Sequence, residues 1–122
     1  MANLLIVDDN EQNVQQMQHF IRTMGHDSQF TMTAEFVFDI LQSERVDLIL
    51  LDVHLPKTNG LQLLQQIKAH PEYESLPVVM ITADESDQLL SDCLSAGAVD
   101  FIHKPFRDIT FKARVQSVLK AG

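Results

Sequence analysis

The chain alternates short apolar runs with amphipathic stretches. Three of the runs consist almost entirely of leucine, isoleucine and valine: NLLIVD (3–8), LILLD (48–52) and PVVMIT (77–82). Because neither face of these segments is polar, they are typical of strands buried on both sides of a parallel sheet. A fourth run, AVDFIHK (98–104), is a further strand, and the more polar DSQFTM (27–32) is predicted at an edge of the sheet.

Between the runs, the apolar residues follow the spacing of a helix that is buried on one side. The five predicted inward stripes are Val14, Met17, Ile21 and Met24; Phe36, Val37, Ile40 and Leu41; Leu61, Leu64 and Ile67; Leu89, Leu90, Cys93 and Leu94; and Phe111, Val115, Val118 and Leu119. Thr33 and Ser86 are predicted to cap the second and fourth helices, and Gly25 and Gly97 fit positions just past helix ends.

The order of elements is a strand followed by a helix, repeated five times. Parallel strands require crossover connections, which are right-handed and usually contain a helix. The sequence therefore predicts a three-layer (βα)5 sandwich of the α/β class. A length of 122 residues corresponds to one domain, covering residues 1–122.

Composition and charge exclude several classes of partner. The formal net charge is −8, so the domain lacks the basic face that direct nucleic acid binding requires. Cys93 is the only cysteine, which rules out an internal disulfide and favours a reducing compartment. The sequence shows neither a basic leader nor an apolar run long enough to span a bilayer, so we expect a cytoplasmic protein without membrane contact.

Polar residues follow the predicted strands at one end. The first strand ends in Asp8 and Asp9, the third in Asp52, the fourth in Thr82 and the fifth in Lys104. In a sheet of this kind, ligands bind beyond the carboxyl ends of the strands. We therefore expect these five side chains to form one site.

The residue types in this set favour phosphoryl chemistry. Three adjacent carboxylates repel one another, and a hard cation such as Mg²⁺ removes that repulsion. A lysine and a hydroxyl beside the cation would complete a cradle for phosphoryl oxygens. One carboxylate would remain free to act as a nucleophile and form an aspartyl-phosphate.

Five motifs occur in order over essentially the whole chain: IVDDN (6–10), LILLDVHLP (48–56), NG (59–60), VVMITA (78–83) and AGAVDFIHKPF (96–106). Together they resemble the CheY-like receiver domain of two-component response regulators. The resemblance implies a flavodoxin-like sheet with strand order 2-1-3-4-5.

The resemblance also implies roles for individual residues. Asp52 would be the phosphoacceptor. Asp9, Asp52 and the backbone carbonyl of His54 would bind Mg²⁺, and Asp8 would act mainly through a bound water. His54 and Asp84 occupy positions that tune the access of water to the acyl phosphate in this family.

Four further residues correspond to the family's phosphate and switch positions. Thr82 would bond a phosphate oxygen once the phosphoacceptor is modified, and Lys104 would pair with the phosphoacceptor or its phosphate. Pro105 would follow a cis peptide bond that positions Lys104. Phe101 falls at the position of the switch aromatic, whose rotamer follows the state of Thr82.

Each residue also has a purely structural explanation. Asp8 and Asp9 alone would fit a turn and a helix cap. Thr82 would fit an ordinary strand residue, Lys104 a solvated edge lysine and Phe101 a core or surface aromatic. Their occurrence together and in order favours the functional interpretation.

Three functions are compatible with these residues. The first is a phosphoacceptor switch that receives its phosphoryl group from a sensor histidine kinase or a histidine phosphotransfer protein. It would catalyse only its own phosphorylation and dephosphorylation. The second is a receiver-like interaction module that works without phosphorylation, although all the acidic, hydroxyl and lysine positions are filled. The third is a phosphohydrolase resembling the haloacid dehalogenases, in which His54 would replace a second aspartate.

Two interpretations of the chain are compatible with these residues. The chain is interpreted as a stand-alone receiver or as a segment of a larger protein, with an unknown effector or output domain. By the same resemblance, we expect a homodimer through the face formed by the fourth helix, the fifth strand and the fifth helix.

Overall fold

Five parallel strands alternate with five helices in the computed structural model, which describes residues 1–83 and 86–121. The strands are β1 (Asn3–Val7), β2 (Asp27–Thr31), β3 (Leu48–Asp52), β4 (Val78–Thr82) and β5 (Asp100–His103). The helices are α1 (Glu11–Thr23), α2 (Val37–Ser43), α3 (Gly60–Ala69), α4 (Asp87–Ser95) and α5 (Asp108–Ala121).

The strand order is β2-β1-β3-β4-β5, and every neighbouring pair is parallel. This confirms the predicted fold class and sheet order. The strands β3 and β4 are buried along their whole length, whereas β2 lies at the edge and is only partly buried. The apolar runs thus occupy the centre of the sheet, as their lack of a polar face requires.

Alternate residues of each strand belong to two separate cores. In β1, Leu5 and Val7 belong to the core that also contains residues of α2, α3 and α4, whereas Leu4 and Ile6 belong to the core that contains residues of α1 and α5. Successive strand side chains point to opposite faces, so one sheet supports both cores and the chain forms three layers. Among the described residues, no helix combines the length and hydropathy that a bilayer crossing requires.

The second helix begins later than its sequence pattern predicts. A 3₁₀ turn (Ala34–Phe36) follows β2, α2 starts at Val37, and Thr33 makes no capping hydrogen bond through its side chain. The predicted cap is therefore wrong. Phe36 is 50% exposed, contrary to its predicted inward position, because the tighter turn places it outside the line of buried residues that Val37 and Leu41 define.

The fourth helix buries fewer side chains than predicted. Ser86 caps it as expected, by accepting a hydrogen bond from the backbone N–H of Leu89. However, Cys93 is its only fully buried residue, and Leu94 is 47% exposed. Leu90 and Leu94 lie four residues apart, on the line of side chains beside the one that contains Cys93. Because only a narrow strip of α4 contacts the core, the side chains on this second line are partly exposed.

The connection from α3 to β4 is folded onto the core. The Lys68 ammonium donates hydrogen bonds to the carbonyls of Glu74, at 3.2 Å, and Leu76. Tyr73 is buried, and its ring lies 4.7 Å from that of His70 between centroids. These contacts hold residues 70–76 against α2 and α3.

Candidate functional site

Three charged side chains meet beyond the carboxyl ends of the central strands. Asp8 follows β1, Asp52 is the last residue of β3, and Lys104 follows β5. Asp8 is completely buried and Asp52 is only 3% exposed. Each charge is brought there by an apolar strand, because the carboxyl ends of parallel strands lie at one edge of the sheet.

Lys104 is the cation that pairs with both buried carboxylates. Its Nζ lies 3.0 Å from Oδ2 of Asp52 and 3.2 Å from Oδ2 of Asp8, and its side chain is 18% exposed. Burial lowers the pKa of Lys104, but the hydrogen bond and charge of Asp52, with those of Asp8, outweigh burial and raise that pKa above its usual value. The ammonium form is therefore the one present in the site.

Asp8 has an incompletely satisfied carboxylate. Its Oδ1 accepts a hydrogen bond from the backbone N–H of Asn10 at 2.9 Å. Its Oδ2 forms an ion pair with Lys104 but has no hydrogen-bond partner among the described residues. Burial, with a smaller contribution from the charge of Asp52, raises the pKa of Asp8 above 3.8 despite the hydrogen bond from Asn10 and the positive charge of Lys104.

The predicted acidic cluster is present. Asp8, Asp9 and Asp52 each offer a carboxylate oxygen, and these oxygens all lie within 4.8 Å of one another. Two of the three residues are buried, whereas Asp9 is exposed and opens the cluster to solvent. Oxygen donors of this kind, with the unsatisfied Oδ2 of Asp8 among them, fit a hard divalent cation.

The backbone after β3 fixes the Asp52 carboxylate. Oδ1 of Asp52 accepts a hydrogen bond from the backbone N–H of His54 at 2.9 Å, while Oδ2 accepts one from Lys104. The N–H of Val53 donates to the Ile81 carbonyl of the neighbouring strand at 3.0 Å, and the N–H of Gly60 donates to the Val53 carbonyl at 2.6 Å. The start of α3 is therefore tied to the strand that ends in Asp52.

The remaining predicted residues lie around this centre. Thr82 ends β4 and is fully buried, and its carbonyl accepts a hydrogen bond from the N–H of Lys104 at 2.8 Å. The peptide bond between Lys104 and Pro105 is cis, as the resemblance implies. Phe101 is partly buried against the core, with its ring 5.9 Å from that of His103. Asp84 lies outside the described residues.

Two features of the structure, one in the site and one at the amino end of β5, were not predicted from the sequence. Gly60 lies against the backbone of Asp52, so close that a Cβ at this position would come within 2.3 Å of the Asp52 carbonyl oxygen. The sequence indicated Gly60 only as part of the NG motif. Asp100 accepts hydrogen bonds from Arg114 at 2.9 and 3.1 Å and from the N–H of Phe101, and so joins β5 to α5.

Comparisons with known proteins identify the family. The family model of the response regulator receiver domain matches residues 4–116. A chemotaxis protein CheY homolog from Campylobacter jejuni is 30% identical, over 98% of this chain and 93% of that protein. The alkaline phosphatase synthesis transcriptional regulatory protein PhoP of Bacillus subtilis is 34% identical, over 96% of this chain and 48% of that protein.

Solved structures of the same kind superpose on almost the whole chain. The receiver domain of NtrX from Brucella abortus has a TM-score of 0.90 and 26% identity, covering 98% of this chain and 99% of that one. Chemotaxis protein CheY4 of Vibrio cholerae has a TM-score of 0.91 and 25% identity, covering 97% and 98%. The chain belongs to the response regulator receiver domain family.

Proposed function

We propose that this domain is a phosphoacceptor switch in which Asp52 receives a phosphoryl group from a phosphohistidine. The donor would be a sensor histidine kinase or a histidine phosphotransfer protein in the cytoplasm. The observation that carries the proposal is the buried Asp52 carboxylate, paired at 3.0 Å with Lys104 and clustered with Asp8 and Asp9. A buried acidic cluster is costly to a fold that does not use it.

In the proposed transfer, an Asp52 carboxylate oxygen attacks the phosphorus atom in line with the donor imidazole. The new oxygen–phosphorus bond forms as the phosphorus–nitrogen bond breaks, and the electron pair of that bond returns to the imidazole. The carboxylates of Asp9 and Asp52 and the carbonyl of His54 would hold Mg²⁺, with Asp8 acting through water, and this cation would offset the charge of the phosphoryl oxygens.

Residues of this chain would then detect the phosphate. The Lys104 ammonium would pair with a phosphoryl oxygen, and the Thr82 hydroxyl would donate to another. We infer that the side chain of Phe101 follows Thr82, and that Pro105 fixes the direction of Lys104. Through these residues the phosphate would bias a two-state surface built from α4, β5 and α5, which an effector or output domain recognises.

Hydrolysis of the aspartyl-phosphate would complete the cycle. We infer that the side chains of His54 and Asp84, each two residues past a site residue, tune the access of water to the acyl phosphate. The domain would therefore catalyse its own phosphorylation and dephosphorylation without turning over a separate substrate.

Incubation with Mg²⁺ and acetyl phosphate is expected to add one phosphoryl group to the protein, seen by intact mass spectrometry. The Asp52→Asn variant is expected to show no adduct, because the amide lacks the nucleophilic oxygen. Asp39→Asn, which changes an exposed aspartate of α2, serves as the matched control and should be labelled like the native protein. An adduct that survives in Asp52→Asn, or no adduct on the native protein, would contradict the proposal.

Phosphorylation is further expected to promote a homodimer through the face formed by α4, β5 and α5. Exposed apolar side chains lie on α4, just before β5 and on α5: Leu94 at 47%, Val99 at 50% and Ile109 at 85%. Sedimentation velocity with beryllofluoride and Mg²⁺ should show a larger species that Ile109→Lys removes. A species of unchanged size in the native protein, with beryllofluoride bound, would refute this expectation.

A further inference from the structure

A cavity of about 380 Å³ lies beside the loop that joins β3 to α3. One wall comes from residues 33–35 and 38, before and within α2, and the other from residues 56–58, with Gln66 of α3 completing it. The volume falls within the range of small-molecule sites. None of these residues belongs to the acidic cluster, so the cavity is separate from the site around Asp52.

The apolar part of the cavity is formed by Ala34, Phe38 and Pro56. The ring of Phe38 is held by aromatic neighbours: it stacks on His70 with centroids 6.1 Å apart and rings inclined by 28°, and it lies 6.2 Å from Tyr73. A wall that is already ordered loses little entropy when a ligand binds. Aromatic and proline rings together suit a flat aromatic group.

The polar part of the cavity has unused hydrogen-bonding and charged groups. The hydroxyl of Thr33 has no hydrogen-bond partner among the described residues, but it is buried below the cavity surface, so the charged side chains carry the polar contacts. Glu35 and Lys57 both line the cavity and are exposed, and neither forms an ion pair within residues 1–83 and 86–121. The cavity thus presents one charge of each sign beside an aromatic wall.

We propose that this cavity binds a small aromatic zwitterion of the class of the aromatic amino acids. The ring packs on Phe38 and Pro56, the carboxylate pairs with Lys57, and the ammonium pairs with Glu35. A ligand with only one charge leaves one of the two side chains unpaired, so the complementary charges select the zwitterion.

The position of the cavity gives the ligand an influence on Asp52. Residues 56–58 lead directly into Asn59 and Gly60, and the N–H of Gly60 donates to the Val53 carbonyl next to Asp52. A ligand that contacts this loop should change the rate at which Asp52 is phosphorylated, a consequence that rests on the proposed function. Binding itself does not depend on phosphorylation and is measured separately.

The test is an amide NMR titration of the native protein with L-tryptophan. Saturable shifts are expected for residues 33–38, 57 and 58, with a Kd of roughly 1 mM or below. Indole-3-propionate lacks the ammonium and tryptamine lacks the carboxylate, so each should bind at least about threefold more weakly. No saturable shift in this region, or equal binding of the three compounds, would overturn the proposal.

Variants of the cavity residues test which side chain contacts which group of the ligand. Phe38→Leu keeps an apolar side chain without the aromatic face and should weaken tryptophan binding about tenfold. Lys57→Gln should remove the advantage of tryptophan over tryptamine, and Glu35→Gln its advantage over indole-3-propionate. Lys120→Gln, on the exposed end of α5, is the charge-matched control and should bind like the native protein. Unchanged binding in all three cavity variants would overturn the assignment.

Phosphorylation by acetyl phosphate is then followed with and without saturating tryptophan. A changed rate supports the coupling to Asp52, and an identical rate overturns it. A protein that is not phosphorylated under either condition would indicate that the proposed function fails, and the NMR result would still decide whether the cavity binds the zwitterion.

Discussion

Replacing Gly60 by alanine is expected to destabilise the domain by about 3 kcal/mol, although the position is helical. The added Cβ would lie 2.3 Å from the Asp52 carbonyl oxygen, 2.8 Å from Cα of Val53 and 3.0 Å from the Asp52 carbonyl carbon. All three neighbours are backbone atoms at the end of β3, so no side-chain rotation can relieve the contact. At an open helical position the same change would instead stabilise the protein by about 1 kcal/mol.

Urea unfolding of Gly60→Ala and Gly25→Ala separates crowding from backbone strain. Gly25 has a positive φ of 84°, and a Cβ there would meet no atom within 4 Å. Alanine at this position should therefore lower the free energy of unfolding only through the strain of the left-handed backbone conformation, by about 1 kcal/mol. If Gly60→Ala proved no less stable than Gly25→Ala, the close packing of α3 on Asp52 would be contradicted.

The contrast between these two glycines shows what a sequence pattern can predict. Gly25 was identified as a helix stop because it follows a complete apolar stripe, which is information local to the chain. The tight contact of Gly60 depends on how closely α3 approaches β3, which no local pattern encodes. The same holds for Phe38, His70 and Tyr73, whose rings meet only after α2 and α3 pack on the sheet.

The acidic centre could be predicted because it depends on strand ends alone. Asp8 follows β1 and Asp52 is the last residue of β3, and parallel strands bring their carboxyl ends to one edge of the sheet. The burial of Phe36 and Leu94 in helices, in contrast, was wrongly predicted. Helical spacing indicates which residues share a line, but the layer that covers the line decides whether they are buried.

Lys104→Met is expected to lower the free energy of unfolding by about 3–5 kcal/mol at pH 7 without divalent cations. Methionine preserves an unbranched apolar side chain but removes the ammonium that lies 3.0 Å from Asp52 and 3.2 Å from Asp8. The two buried carboxylates would then repel each other without a compensating charge. Asp8 is fully buried, so solvent cannot screen it effectively.

The pH dependence of this loss has a definite sign. Burial and the charge of Asp52 already raise the pKa of Asp8 in the folded protein, and Lys104 opposes that shift. Without Lys104 the pKa of Asp8 should rise further above its unfolded value of 3.8. Between these two pKa values the folded state binds more protons than the unfolded state, so the variant should gain stability as the pH falls. Its deficit relative to the native protein should shrink accordingly.

Urea unfolding at pH 7 and pH 5, with EDTA or with Mg²⁺, measures these effects. Asp8→Asn in the Lys104→Met background removes one of the two repelling charges at nearly constant shape and should recover much of the stability at pH 7. Mg²⁺ should stabilise the single variant by binding only its folded state, and the double variant much less. A single variant as stable as the native protein at pH 7, or a deficit that grows as the pH falls, would show that Lys104 is not the cation that neutralises this cluster.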